Sequence, residues 1–336
     1  MKIIQIFAFL FICLAMNTAK GQGENSVLFI GNSLTFSNDM PKMLQNISVA
    51  NGKKIIVDTV VKRGKSIKYH SSQQRTFNRI KSRKWSYVVI QGFSTEFAQP
   101  KGVVDSTTIP YLRIIVDSIR YYNACSKIIL YETWGYKMGK TEIPNAEDYS
   151  QMQDLIKQQT VRAADIFSIG VCPVGEAWKK VQKNNLNMEL YTADNYHPTK
   201  TGSYVAACTF YTTLFAESAY GNKSAVNINP ENKKTIETIS ATVLIGNRSK
   251  WSLTFPVKFP TTGFDLILQN NELKLVDKSL YSKSVDWYFG DGVTSKDNSP
   301  KHVYKKKGTY TVNQVVHGKC GSNNLKRTIS VKAVDL

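Results

Sequence analysis

Two short stretches, far apart in the chain, hold residue types that together can make a nucleophile. Gly31-Asn32-Ser33-Leu34-Thr35 follows an apolar run at 27–30, and Asp194-Asn195-Tyr196-His197-Pro198 precedes a long apolar stretch beginning at Gly202. A serine hydroxyl becomes nucleophilic when a base takes its proton, and histidine is the usual base. The imidazole in turn needs an acceptor on its other nitrogen to fix its tautomer. Asp194 lies three residues before His197, so one turn can present both groups, and Pro198 stiffens that turn. Histidine is scarce: before residue 246 only His70 and His197 follow the N-terminal apolar segment.

The elements around these stretches alternate. Short β-branched or aromatic runs over 27–30, 55–61, 87–90, 128–131 and 166–169 predict buried strands of a parallel sheet. Helical patterns over 41–50, 110–122 and 147–164 separate them, and 202–219 and 230–244 predict two closing helices. This is an α/β pattern with helices on both faces of the sheet. A serine just after the first strand sits at the carboxyl edge, where open α/β sheets place their sites. Its own N–H is then free to face a developing oxyanion.

G-N-S-L-T after the first strand and D-x-x-H-P before the last helix resemble the first and last blocks of the SGNH (GDSL-like) hydrolases. The resemblance implies a flavodoxin-like three-layer α/β/α sandwich and ester hydrolysis without metal or cofactor. By the same resemblance Ser33 is the nucleophile, His197 the general base and acid, and Asp194 its orienting partner. The family's second block is a glycine whose N–H points at the oxyanion, and Gly64 stands in that place. Its third block carries an asparagine amide, whereas this chain reads Val89-Ile90-Gln91-Gly92-Phe93-Ser94-Thr95-Glu96. Gln91 is the expected substitute donor, with Ser94 next; one lost donor costs about 2.7–4 kcal/mol of transition-state stabilisation. His70 and Trp134, at the active edge, are candidates for substrate contact, Trp134 by stacking on a sugar ring. No cluster of His, Cys and carboxylates has metal-ligand spacing in this region.

After Gly246 the texture changes to period-two alternation over 285–289, 310–316 and 328–331, separated by turn residues. Trp287-Tyr288-Phe289-Gly290-Asp291-Gly292, then His302-Val303-Tyr304, then Gly308-Thr309-Tyr310-Thr311-Val312 resemble the marks of a PKD domain, an immunoglobulin-like β-sandwich. Tyr288 replaces the usual aspartate. Trp287 and Phe289 alternate with Tyr288, which assigns them to the core, and Asp291 reads as a turn residue bonding its own backbone rather than a calcium ligand. The expected domains are 24–246 and 252–336.

Lys2, an apolar run to Met16 and a small-residue exit near Ala19 or Gly21 predict a secretory signal over 1–21, too short to span a bilayer. Ile12, where a small residue is expected, argues against lipidation of Cys13. The expected location is therefore secreted or periplasmic. With 44 basic and 25 acidic residues the formal charge is +19, but no nucleic-acid-binding motif accompanies it. Export and an accessory sandwich point to O-acyl groups, acetyl being the simplest, on a polysaccharide that the C-terminal module also contacts. The alternative is a surface glycan- or protein-binding protein using that module beside a weakly active or inactive hydrolase domain.

Overall fold

The computed structural model describes residues 25–184, 187–253 and 260–332. The predicted signal over 1–21 lies outside them. The described residues fall into two compact units, one up to residue 253 and one from residue 260.

The first unit is built on five parallel strands: β1 (Asn25–Gly31), β2 (Ile55–Val61), β3 (Tyr87–Ile90), β4 (Lys127–Glu132) and β5 (Gly170–Pro173). Their order is β2-β1-β3-β4-β5, the flavodoxin-like arrangement. Val27 to Ile30 are fully buried, as are Val88 to Ile90, because helices cover both faces of the sheet. Four predicted strands stand where the sequence puts them. The fifth is a correction: 166–167 end a helix, Tyr149–Phe167, and the strand begins at Gly170. Ile166 is exposed, Ser168 caps the helix in the left-handed region, and Val171 and Cys172 supply the buried run instead.

Helices α1 (Ser33–Phe36) and α2 (Met40–Ala50) link β1 to β2. Helices α3 (Ile67–His70) and α4 (Gln74–Lys81) follow β2, and α5 (Lys101–Thr107) and α6 (Ile109–Tyr122) follow β3. The helix Tyr149–Phe167 is α7, followed by α8 (Val174–Asn184), α9 (Lys200–Phe215) and α10 (Pro230–Leu244). Thr199 caps α9 through the Gly202 N–H. The helix is buried nearly all round, packing on α2, α8 and α10. A Cβ at Gly202 would lie 2.4 Å from the Trp178 ring, so only glycine lets α9 approach α8 this closely. Trp251 and Leu253 are buried in this same core and Arg248 donates to the carbonyls of Thr212 and Thr213. The packing thus runs past Gly246, where the sequence ends that domain.

The sheet order positions the site. Chain connections leave β1 toward β2 on one side and cross back to β3 on the other. The crevice outside the carboxyl ends of β1 and β3 is therefore the switch point where such sheets bind ligands.

The second unit has two antiparallel sheets. Strands β6 (Phe264–Gln269), β7 (Glu272–Asp277) and β10 (Lys301–Val303) form one, in the order β10-β7-β6. The other is β12-β11-β8-β9, from β8 (Ser284–Tyr288), β9 (Thr294–Ser295), β11 (Gly308–Gly318) and β12 (Gly321–Val331). Trp287, Phe289, Phe264 and Tyr304 fill its core, and the Trp287 indole donates to the Asp297 carbonyl at 2.9 Å. Gly290 and Gly292 take φ near +90°, and Asp291 accepts the Val293 N–H as a turn residue.

Candidate active site

Ser33 is the first residue of α1, directly after β1, and is nearly buried. Asn32 caps the helix by accepting the Leu34 N–H, while its amide donates to the Lys65 and Gly92 carbonyls at 2.9 and 3.2 Å. One side chain thereby ties the Ser33 turn to the loops after β2 and β3. Leaving either buried carbonyl unpaired would be costly.

His197 Nε2 lies 2.9 Å from Ser33 Oγ, and His197 Nδ1 lies 2.6 Å from Asp194 Oδ2. Partial desolvation works to raise the Asp194 carboxyl. It is overridden by hydrogen bonds from the His197 ring, the His197 and Tyr196 N–H groups and Thr192 Oγ1, which hold it well below the usual carboxylate range. An ionised Asp194 accepts the proton on Nδ1, so Nε2 is left to accept the Ser33 hydroxyl. The structure thus brings Ser33, Asp194 and His197 into one hydrogen-bonded line.

The turn that carries Asp194 and His197 is braced from the loop after β4. Trp134 donates its indole N–H to the Tyr196 carbonyl and Lys137 donates its N–H to that of Asn195, both at 2.9 Å. Tyr191 Oη donates to the Gly135 carbonyl at 2.8 Å, and the Tyr136 ring leans on Tyr196, which covers the His197 ring. From the other side, Asn38 donates to the Pro198 carbonyl and to Ser203 Oγ, each at 2.9 Å. Asn38 and Asp39 both sit at φ +53°, a strained pair for non-glycine residues held by these bonds.

Three expectations are corrected. Gln91 is fully buried, with Oε1 accepting from the Asn32 N–H at 2.8 Å and Thr35 Oγ1 at 2.9 Å, and its amide donates to the Gly92 carbonyl. Its donor is spent inside the protein, so Gln91 stiffens the Ser33 turn and has no amide left for an oxyanion. His70 is buried behind β1, its Nε2 donating to the Gly31 carbonyl at 2.9 Å, and burial lowers its pKa. It cannot touch substrate from there. Trp134 is buried and stacked on Trp178 at 4.1 Å, leaving no face for a sugar.

Gly64 lies in the exposed turn after β2 at φ +66°, next to the Lys65 carbonyl that Asn32 holds. Ser94, the second choice for an extra donor, is hydrogen-bonded to Tyr136 Oη at 2.7 Å. Glu96 closes the loop after β3: its Oε2 accepts from the N–H groups of Phe93 at 2.6 Å and Ile67 at 3.1 Å. Burial pushes its pKa up to about 7. Asn32, Asn38 and Tyr136 are contributors that the sequence reading passed over. Asn32 and Asn38 flank Ser33 in sequence, and their amides carry the signal that could have singled them out.

Residues 269–333 match the family model of the PKD domain. The second unit is a PKD domain. A stretch of 47 residues is 47% identical to the collagenase ColA of Bacillus cereus, and the chain spans 5% of the length of that curated relative. Within the PKD domain, Trp287 and Phe289 point inward while Tyr288, in place of the family's aspartate, is exposed and leaves the core intact. Over the first unit, the structure is similar to a DUF4886 family protein from Bacteroides uniformis. That protein is 19% identical with a TM-score of 0.59, and the match covers 66% of this chain and 95% of that one. A candidate SGNH hydrolase from Slackia heliotrinireducens is also similar, at 22% identity and a TM-score of 0.48, over 57% of this chain and 100% of that one. The first unit shares the α/β/α fold of the Bacteroides uniformis protein.

Proposed function

We propose that the first unit is an SGNH-type serine ester hydrolase that needs no metal. The observation that carries this reading is the line Asp194–His197–Ser33, at 2.6 and 2.9 Å, set at the switch point of the sheet. Ser33 Oγ attacks the acyl carbon as His197 Nε2 takes its proton. The imidazolium forms beside the Asp194 carboxylate, which stabilises it. The N–H groups of Ser33 and Gly64 donate to the developing oxyanion, with no side-chain amide from Gln91. His197 then returns its proton to the leaving alcohol, the acyl group stays on Ser33, and water activated by the same imidazole releases it.

The substrate class proposed is the O-acylated polysaccharide, acetyl first, met outside the cytoplasm after removal of the segment 1–21. The PKD domain supplies a second contact to the polymer. The deciding experiment is labelling by a fluorophosphonate probe, expected in the wild type and lost in Ser33→Ala. An unlabelled, folded wild-type protein would refute the esterase and leave the surface-binding reading.

A further inference from the structure

An open groove of about 860 Å³ starts at the Gly64 turn and runs between the loops after β2 and β3. That size suits a small ligand or one stretch of a polymer. Its Gly64 end is tied to the turn that carries Ser33. Asn32, beside Ser33, donates to the Lys65 carbonyl on one wall and to the Gly92 carbonyl on the other. Farther out, the single carboxylate oxygen of Glu96 accepts from Ile67 N–H and Phe93 N–H, again one residue from each wall. Both walls are thus fixed relative to Ser33 before any ligand arrives, which lowers the cost of ordering them on binding.

The lining has a distinct chemistry. Lys65 and Lys68 stand along it, their ammonium groups 5.2 and 5.1 Å from the rings of Tyr69 and Tyr111. Neither pairs with a carboxylate among the described residues. Lys62 and Arg63 precede Gly64 in the same exposed turn, Arg63 lying over the Phe36 ring at 5.8 Å. Phe93 offers an exposed ring, Val103 adds an apolar patch, and hydroxyl and amide side chains fill most of the rest. The one carboxyl of the lining, Glu96, is spent on the Ile67 and Phe93 N–H groups. An aromatic face, hydroxyls and amides suit a sugar; cations without a carboxylate partner call for a negative charge on it. The opening is shallow, unlike an enclosed channel for an acyl chain.

We infer that this groove is a saccharide subsite selecting an anionic sugar, so that the acyl group removed at Ser33 is carried by an acidic saccharide. The inference rests on the esterase reading. In it Phe93 stacks on the ring, and Lys65 and Lys68 bind the carboxylate or sulfate. The basic turn at Gly64 steers the polymer toward the ester.

The test is inhibition of aryl acetate hydrolysis by tetragalacturonate, by xylotetraose and by a sulfated tetrasaccharide, with calorimetric binding of each as a second readout. The expected result is that tetragalacturonate or the sulfated sugar binds at least about tenfold more tightly than xylotetraose at low salt. The preference should shrink with added salt and largely vanish in Lys65→Gln/Lys68→Gln, and Phe93→Ala should weaken neutral and acidic sugars alike. Whichever acidic sugar binds better identifies the anion. Aryl acetate hydrolysis with equal binding of neutral and acidic sugars overturns the inference and leaves the esterase standing. Absent hydrolysis with salt-dependent binding of the acidic sugar overturns the esterase and leaves the groove's selectivity standing.

Discussion

Trp134 donates its indole N–H to the Tyr196 carbonyl, one residue before His197, from a ring that is itself stacked on Trp178. The bond fixes the backbone from which the imidazole reaches Ser33. Trp134→Phe keeps most of the stacking surface and removes the donor. The expected outcome is a kcat lowered severalfold or more, since small displacements of reacting groups are costly. Thermal stability should fall by only about 1–3 kcal/mol, the cost of leaving the buried carbonyl unpaired. An unchanged kcat would show that the loop holds without it.

Ser33→Ala and His197→Ala should each remove turnover of a short aryl ester by several orders of magnitude while circular dichroism stays native. Residues that act as a unit lose nearly everything when one is removed. Asp194→Asn is the more discriminating variant. An asparagine oxygen can still accept N–H groups and keep the turn, yet it no longer fixes the proton on Nδ1, so a loss of about 10⁴-fold is expected. Comparable turnover in Asp194→Asn would mean the tautomer is set by another group.

Glu132 ends β4 with no exposure, Oε1 accepting from Gln153 Nε2 at 2.5 Å and Oε2 from the Glu176 N–H at 3.2 Å. Burial pushes its pKa up to about 8, from an ordinary value of 4.5. The folded protein therefore keeps this proton where the unfolded chain has lost it. Its contribution is full below the unfolded value and is lost as pH rises toward 8. The urea midpoint should fall between pH 5 and pH 8, and Glu132→Gln should flatten that fall. An equal fall in the variant would assign the slope elsewhere, Glu96 being the next candidate.

A chain truncated after Leu253 should fold and hydrolyse a small soluble ester, because every proposed catalytic group precedes residue 200 and the core closes with Trp251 and Leu253. Truncation after Gly246 removes Trp251 and the Arg248 bonds, and losing a buried tryptophan alone costs about 3–5 kcal/mol. The longer fragment should melt well above the shorter. Equal melting temperatures would place the end of the domain at Gly246.

Much of the site was legible because its chemistry is local. Ser33 follows a strand whose burial shows in four consecutive apolar residues, and Asp194 and His197 share one turn. The parts misread were those whose role depends on direction. Nothing in the letters at Gln91, His70 or Trp134 tells an inward amide, imidazole or indole from an outward one, and all three turned inward. Gly31 is required for space, a role its letter alone does not show, since a Cβ there would meet Gln91 Oε1 at 2.6 Å. The fifth strand slipped because Ile166, Phe167 and Ile169 are as apolar as a strand, while the helix end at Ser168 is written in backbone dihedrals. β6 and β7 were missed because charged residues such as Asp265, Glu272 and Lys274 stand within their short runs, and β10 because it has only three residues.

The two oxygens of Asp194 divide their duties. Oδ1 accepts from Thr192 Oγ1, Tyr196 N–H and His197 N–H, and so builds the loop; Oδ2 alone addresses the imidazole. Ser33 and His197 have no comparable second employment in the fold. In a descendant released from selection for chemistry, Ser33 and His197 would drift first, while the aspartate persisted for the sake of the loop. An aspartate retained at 194 is therefore a record of ancestry, and the serine and histidine together tell whether the descendant still works.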